Sequence, residues 1–143
     1  MRVLLLVATA ALLGCGPVVM IPGGALSGPV REAPSDWSFS DAIEGVQLET
    51  RPSDPYSVNV WGVAVGPVFY IASGDADSRW ALHIAEDPRV RLKLEPNVYE
   101  LRATLTDDPA EHDAFLAAVQ QKYDYEPDPE QRESAALFRL EPR

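Results

Sequence analysis

Between Arg89 and Leu105 apolar and polar residues alternate almost one for one. Val90, Leu92 and Leu94 interleave with Arg89, Arg91 and Lys93, and after Pro96-Asn97 the residues Tyr99, Leu101, Ala103 and Leu105 keep the same beat. A period of two sends neighbouring side chains to opposite faces of a sheet, so this segment reads as two antiparallel strands burying one face. A two-residue turn at 96–97 pairs Leu94 with Tyr99 and Leu92 with Leu101, and keeps both apolar sets together. That register sets Lys93 against Glu100, which is favourable, and Arg91 against Arg102, which is not. Leu92 and Leu101 are expected as buried neighbours, with Arg91 and Arg102 facing the other way.

The rest of the chain supplies partners for this hairpin. Gly45 to Arg51 alternates, with Val46 and Leu48 on one side. Tyr56 to Val65 is rich in β-branched residues, and after Gly66-Pro67 the run Val68-Phe69-Tyr70-Ile71-Ala72 pairs back on it across a short turn. Asp77 or Ser78 caps a short helix carrying Trp80, Ala81 and Ile84 on one side, which ends before Asp87-Pro88. Asp108, Pro109 and Glu111 form the start of a longer helix, with Glu111 closing a capping box. Phe115, Leu116, Val119 and Tyr123 are its buried stripe. Asp124 to Glu133 reads as a polar, proline-broken loop, and Ala135 to Leu140 as a last short strand. No internal repeat is visible, and the core is one domain's worth.

Composition narrows the chemistry. The chain has 143 residues, 12 basic and 22 acidic, for a formal charge of −10. Such a surface repels phosphate backbones, so nucleic acid is not an expected partner. A single Cys allows no internal disulfide, and two His allow no multi-histidine metal site. His83 and His112 lack a Cys or second His at ligand spacing and read as structural. Asp75-Ala76-Asp77 lacks the glycine and distal Glu of a Ca²⁺ loop and reads as a turn and cap. No Gly-x-Ser-x-Gly run is present, so hydrolase chemistry has no support.

The N-terminus carries an address. Arg2 precedes an acid-free apolar run from Val3 to Leu13, too short for a spanning helix but the length of a signal-peptide core. Leu12-Leu13-Gly14-Cys15 resembles a bacterial lipobox, and the lone Cys stands at the position that becomes diacylglycerylated. The alternative is an ordinary secretory signal with a free thiol nearby. On the lipobox reading, residues 1–14 are removed, leaving 11 basic and 22 acidic residues. Acylated Cys15 then holds the mature chain to membrane lipid. The expected location is the bacterial cell envelope, at the outer membrane if the source is Gram-negative. Residues 15–36 are rich in Gly and Pro, which suits a tether, but Val18-Val19-Met20-Ile21 is too apolar for a tether alone, and part of it is expected on the domain formed by residues 37–143. The Gly23–Gly28 stretch has no strand–loop–helix context, which makes it weak as a phosphate loop.

The order strand–strand–short helix–strand–strand–helix–strand resembles that of the pyridoxamine-phosphate-oxidase-like split β-barrels. Val68 to Ser73, then Ser78-Arg79-Trp80, then Asp87-Pro88-Arg89-Val90-Arg91-Leu92 resembles the family run in which a Ser/Lys or Ser/Arg pair opens a helix closed by Asn/Asp-Pro. Pro22-Gly23-Gly24, Asp36-Trp37-Ser38-Phe39, Leu48 to Pro52, Pro55 to Asn59, Tyr99 to Ala103 and Leu137 to Leu140 resemble an uncharacterised bacterial branch of that superfamily. The implied fold is α+β, mainly antiparallel: a six-stranded split β-barrel with two flanking helices, to which the Gly-rich segment belongs. The resemblance further implies a homodimer that binds FMN, or a deazaflavin, in clefts between subunits.

Under that implication Ser78 and Arg79, at a helix start, suit the cofactor phosphate through dipole and fork geometry. Arg51 and the Arg91/Arg102 pair are further candidates, and Asn59, Trp61 and Trp80 could line the ring. Each has a plainer reading: Arg79 paired with Asp75 or Asp77, Arg91 and Arg102 solvated beside Glu49 or Glu95, and the tryptophans in core or dimer interface. Arg79 stands where the family commonly has Lys, and the long C-terminal basic motif of the pyridoxamine oxidases is missing, which argues against that substrate. Two functions follow. One is a lipid-anchored flavin- or deazaflavin-dependent oxidoreductase acting on an unknown small molecule; the other is a non-enzymatic envelope lipoprotein using the barrel for binding or assembly.

Overall fold

The computed structural model describes residues 16–17 and 20–143. Residues 1–14, expected as a signal segment, and Cys15, the expected lipidation site, lie outside the described residues, as do Val18 and Val19. Seven strands form: β1 (Val30–Arg31), β2 (Val46–Thr50), β3 (Tyr56–Val65), β4 (Val68–Ser73), β5 (Arg89–Leu94), β6 (Asn97–Thr106) and β7 (Ala136–Pro142). Three helices accompany them: α1 (Arg79–Glu86), α2 (Pro109–Tyr123) and α3 (Pro129–Ser134), with a 3₁₀ turn at Ser38–Ala42.

Strands β6-β5-β2-β3-β4-β7 pair antiparallel in that order, and β7 pairs back on β6. Six strands therefore close into a barrel, and the closure removes free sheet edges. The short β1 adds outside it, parallel to β6. Alternation along each strand turns Leu48, Phe69, Ile71, Leu92 and Leu101 fully inward. Burying each such side chain contributes about 1.5–3 kcal/mol. Trp37 closes the core, its ring 5.0 Å from Tyr99 and 5.3 Å from Phe69. Gly62 lets the barrel close tightly here: a Cβ at that position would lie 2.6 Å from the Phe69 ring.

The alternating hairpin exists with its expected facing but in a different register. Its turn is Glu95-Pro96, so Leu94 pairs with Asn97, Leu92 with Tyr99 and Val90 with Leu101. A shift of two positions leaves the facing of the pattern unchanged, and Leu92 and Leu101 are both fully buried. The alternation fails at the end of β6, where Leu105, expected inward, is exposed and Thr106 is buried instead. The shift changes the charge pairing for the better, because Arg91 stands opposite Glu100. Arg102 instead meets Arg89, whose guanidinium is held by Asp87 at 2.7 Å. The strongly paired Asp87 carboxyl is pulled down to about 2 by those hydrogen bonds from Arg89.

Two other expectations are corrected. Residues 124–133 are not all loop, because Asp128 and Gln131 make a reciprocal capping box with Pro129 in the first turn, starting α3. The barrel thus carries three helices rather than two. Glu111 does not close a box on α2, whose N-cap Asp108 accepts from the Ala110 amide alone; its carboxylate is taken by the barrel instead.

The Gly/Pro-rich segment is a strap fitted to the barrel. Gly23 and Ser57 exchange backbone hydrogen bonds of 2.8 Å. Leu26 is buried, and its amide donates to Glu49 Oε2 at 2.7 Å. Arg91 binds the Leu26 carbonyl at 3.0 Å and the same Glu49 oxygen at 3.1 Å. Gly28 has φ +149°, and a Cβ there would sit 2.5 Å from the Pro96 carbonyl oxygen. The apolar residues expected to pack behave otherwise where they are described: Met20 and Ile21 are exposed, and Leu26 does the packing.

Candidate functional site

A cavity of about 420 Å³ lies between the outer face of β3–β4 and a cover made of α2, α3 and the loop joining them. That volume is within the range of small-molecule and cofactor pockets. From β3 come Asn59, Val60 and Trp61; from β4, Ala72 and Ser73; from α1, Trp80. The cover contributes Phe115, Leu116 and Val119 of α2, then Tyr125, Pro127, Gln131 and Arg132. The walls are chiefly apolar, and Arg132 is the only Arg or Lys among the described lining residues. Its guanidinium is tied to Glu126 at 3.0 Å.

Aromatic rings crowd one side. Trp61 is 44% exposed, stacks on Tyr123 at 5.5 Å between centroids, and meets Tyr125 edge-on at 4.5 Å. Tyr123 is held by the Gly62 backbone, its hydroxyl 3.1 Å from the carbonyl oxygen. Lys122 donates to the same carbonyl at 2.9 Å, and burial lowers its pKa. Trp80 forms the deeper wall, 5.6 Å from Phe138 of the core.

Of the residues expected at a cofactor, Asn59, Trp61 and Trp80 line this cavity. Ser78 stands at its edge: its hydroxyl is 2.7 Å from that of Ser73, a lining residue. That bond occupies Ser78, so α1 begins without a side-chain cap and its first amides stay unclaimed by it. Arg79 and Arg51 gather elsewhere. The Arg79 guanidinium lies 5.7 Å from the Tyr56 ring centroid, and Arg51 bonds Asp54 at 2.9 Å from a backbone with φ 56°. Between them, buried His83 meets Thr50 Oγ1 through Nδ1 at 2.9 Å and Tyr56 edge-on. Burial, then the charge of Arg51 and more weakly Arg79, lowers the His83 pKa. Arg91 is absorbed by the strap, and Arg102 is not its partner, so those two do not make an anion site.

The cover is fixed by Glu111. Its carboxylate accepts from the Tyr70 hydroxyl at 2.7 Å, from Arg139 Nε at 2.9 Å, and from Thr106. These bonds hold its pKa down at about 2. One side chain on α2 thereby joins β4, β6 and β7. His112, one residue on, lines the cavity and bonds the Thr106 carbonyl at 3.0 Å.

The α3 wall of the cavity lies in the segment expected from the sequence as loop. Asp128-Pro129-Glu130-Gln131 is itself a capping-box signature, and it would have placed Tyr125, Gln131 and Arg132 next to a helix start. The residues present suit the ring of a flavin, with Trp61, Trp80 and Leu116 around an apolar space. For a phosphate, this chain offers the start of α1 at the cavity edge and Arg132.

No family model matches the sequence, and no curated protein does. Solved structures match the fold. A conserved hypothetical protein from Mycobacterium tuberculosis superposes with TM-score 0.63 at 18% identity, over 74% of this chain and 77% of that one. A protein from Listeria innocua assigned as a pyridoxamine 5'-phosphate oxidase gives 0.58 at 11% identity, over 74% and 89%. An F420 reductase gives 0.55 at 20% identity, over 77% and 94%. With its closed six-stranded barrel and flanking helices, the chain has the pyridoxamine-phosphate-oxidase-like split β-barrel fold.

Proposed function

We propose that this chain is a membrane-anchored bacterial lipoprotein whose split barrel binds FMN or a deazaflavin and acts as an oxidoreductase on a small molecule. The observation carrying this reading is the cavity of about 420 Å³ with Trp61 and Asn59 at its rim and Trp80 in its wall. A bound flavin would supply the hydride chemistry, while the protein binds and orients it. Trp61, Trp80 and Leu116 would hold the ring. The amides at the start of α1, with Ser78 at the cavity edge and Arg132 in its wall, would hold the phosphate. Arg79, outside the cavity at the first position of α1, would meet that phosphate from beyond the edge. Arg51, beside His83 with Arg79, would add a second positive charge outside the cavity, and a homodimer would complete the cleft.

The test is titration of the chain from Gly16 onward with FMN, riboflavin and a deazaflavin, read by absorbance and tryptophan emission. Binding is expected, and Arg79→Ala should weaken FMN roughly ten- to a hundredfold. Riboflavin, which lacks the phosphate, should lose far less; equal loss for both would overturn the phosphate role. In cells, Cys15→Ala should leave the protein unprocessed or released from membranes, and unchanged palmitate labelling would overturn the anchor.

A second reading has its own support. Tyr123 and Tyr125 already flank Trp61, and Arg51 and Arg79 gather around His83 rather than in the cavity. A folded chain that binds none of the three ligands would favour an envelope lipoprotein using the barrel for binding or assembly.

A further inference from the structure

The strap brings the N-terminal end of the described chain to one edge of the barrel. Gly16 packs on the Gln47 side chain, where a Cβ would lie 3.8 Å from its amide, and Pro17 is buried. Gln47 Nε2 donates to Asn59 Oδ1 at 3.4 Å, and Asn59 lines the cavity. The residue bonded to Cys15 is thus two side chains away from the cavity rim. The antiparallel Gly23–Ser57 pairing runs the strap back along β3 in the direction of Asn59.

Composition along this edge is unlike the rest of the molecule. The fifteen residues from Gly16 to Val30 carry no charge, in a chain whose net charge is −10. Met20 is 90% exposed and Ile21 68%, and Trp61 at the rim is 44% exposed. An uncharged segment with bare apolar side chains, next to a lipidation motif, suits the boundary between headgroups and acyl chains, where apolar side chains bury some 5–10 Å deep. An acidic surface would oppose the same approach at an anionic membrane.

We propose that the barrel lies on the bilayer through this strap, with Met20 and Ile21 in the interfacial layer and the cavity rim at Asn59 and Trp61 turned to the lipid. The proposal rests on the lipoprotein reading of Cys15, and it deepens it by assigning which face meets the membrane. The cavity then opens on a surface where membrane-dissolved amphiphiles are concentrated.

Cys15 is the only cysteine, so a chain beginning there can be coupled through its thiol to maleimide-headgroup lipid in phosphatidylcholine vesicles. This imposes the anchor whether or not a cell makes it. Orientation is then tested separately from lipidation, which the Cys15→Ala fractionation addresses. Three emitters are compared in vesicles carrying nitroxide-labelled lipid: native Trp61 (by difference from Trp61→Phe), and Met20→Trp and Leu105→Trp in the Trp61→Phe chain. Leu105 is 56% exposed on β6, across the ring of strands from β3. Emission at positions 20 and 61 should be quenched at least about twofold more than at 105, as burial in the interfacial layer requires. Quenching at either position no greater than at 105 would overturn the proposal.

Discussion

Glu111 on α2 accepts the hydroxyl proton of Tyr70 on β4 at 2.7 Å. With Arg139 and Thr106 on the same carboxylate, the bond makes Glu111 the point at which the cover of the cavity is fastened to the barrel. Its pKa is held at about 2, against an ordinary 4.5. A carboxyl depressed in the fold adds stability that is fully present above the unfolded value and disappears as pH falls through the folded one. Stability should therefore decline between pH 4.5 and about 2. Glu111→Gln should remove part of that decline, as followed by urea midpoints across this range. A variant with the wild-type pH slope would contradict the assignment.

His83 responds in a different window. Burial and the neighbouring guanidinium of Arg51 favour its neutral form, so its folded pKa lies below 6.5. Its contribution is complete above pH 6.5 and is lost as pH falls below that value. The His83 imidazole resonances should titrate with a midpoint under 6.5, and Arg51→Gln should move it up. A midpoint above 6.5 would contradict the burial seen here.

Glu49 is 4% exposed and satisfies both Arg91 and the Leu26 amide. Glu49→Ala takes the acceptor from the Leu26 amide and the counter-charge from the Arg91 guanidinium, which keeps its bond to the Leu26 carbonyl. Because Arg91 keeps 22% exposure, the cost should fall near the lower end for a broken buried pair, about 3 kcal/mol. Limited proteolysis should then cut between Gly23 and Val30 first. Cleavage elsewhere at an unchanged strap would mean that the clasp is not what holds it.

Gly28→Ala attacks the same strap through the backbone. The added methyl meets the Pro96 carbonyl oxygen, and φ +149° is a conformation that alanine rarely adopts. The expected loss is about 1–3 kcal/mol, read by thermal unfolding. Gly45→Ala is the comparison, since nothing lies within 4 Å of that site.

Strand facing was legible because a period of two survives any shift by two residues; the hairpin register was not, for the same reason. Leu92 and Leu101 are buried in either register, and only the turn and the charge opposite Arg91 distinguish them. The helix that covers the cavity was half legible. Phe115 and Val119 show its buried face, but nothing local says that Glu111 serves Arg139, 28 positions away, rather than its own N-cap. The cavity-lining residues Asn59, Trp61 and Trp80 come together because β3 and α1 adjoin, whereas Ser78 and Arg79, adjacent in sequence, diverge at the start of a helix.

Strand β7 is the seam of the barrel. It pairs with β4 along one edge and β6 along the other. Until it docks, both of those strands offer unsatisfied amides and carbonyls to any neighbouring chain, the arrangement that templates edge-to-edge association. Protection of those two edges from unspecific strand pairing is therefore stored in one seven-residue strand, Ala136 to Pro142. A chain stalled or clipped before it should behave as a two-edged sheet in search of a partner, and leave solution as aggregate.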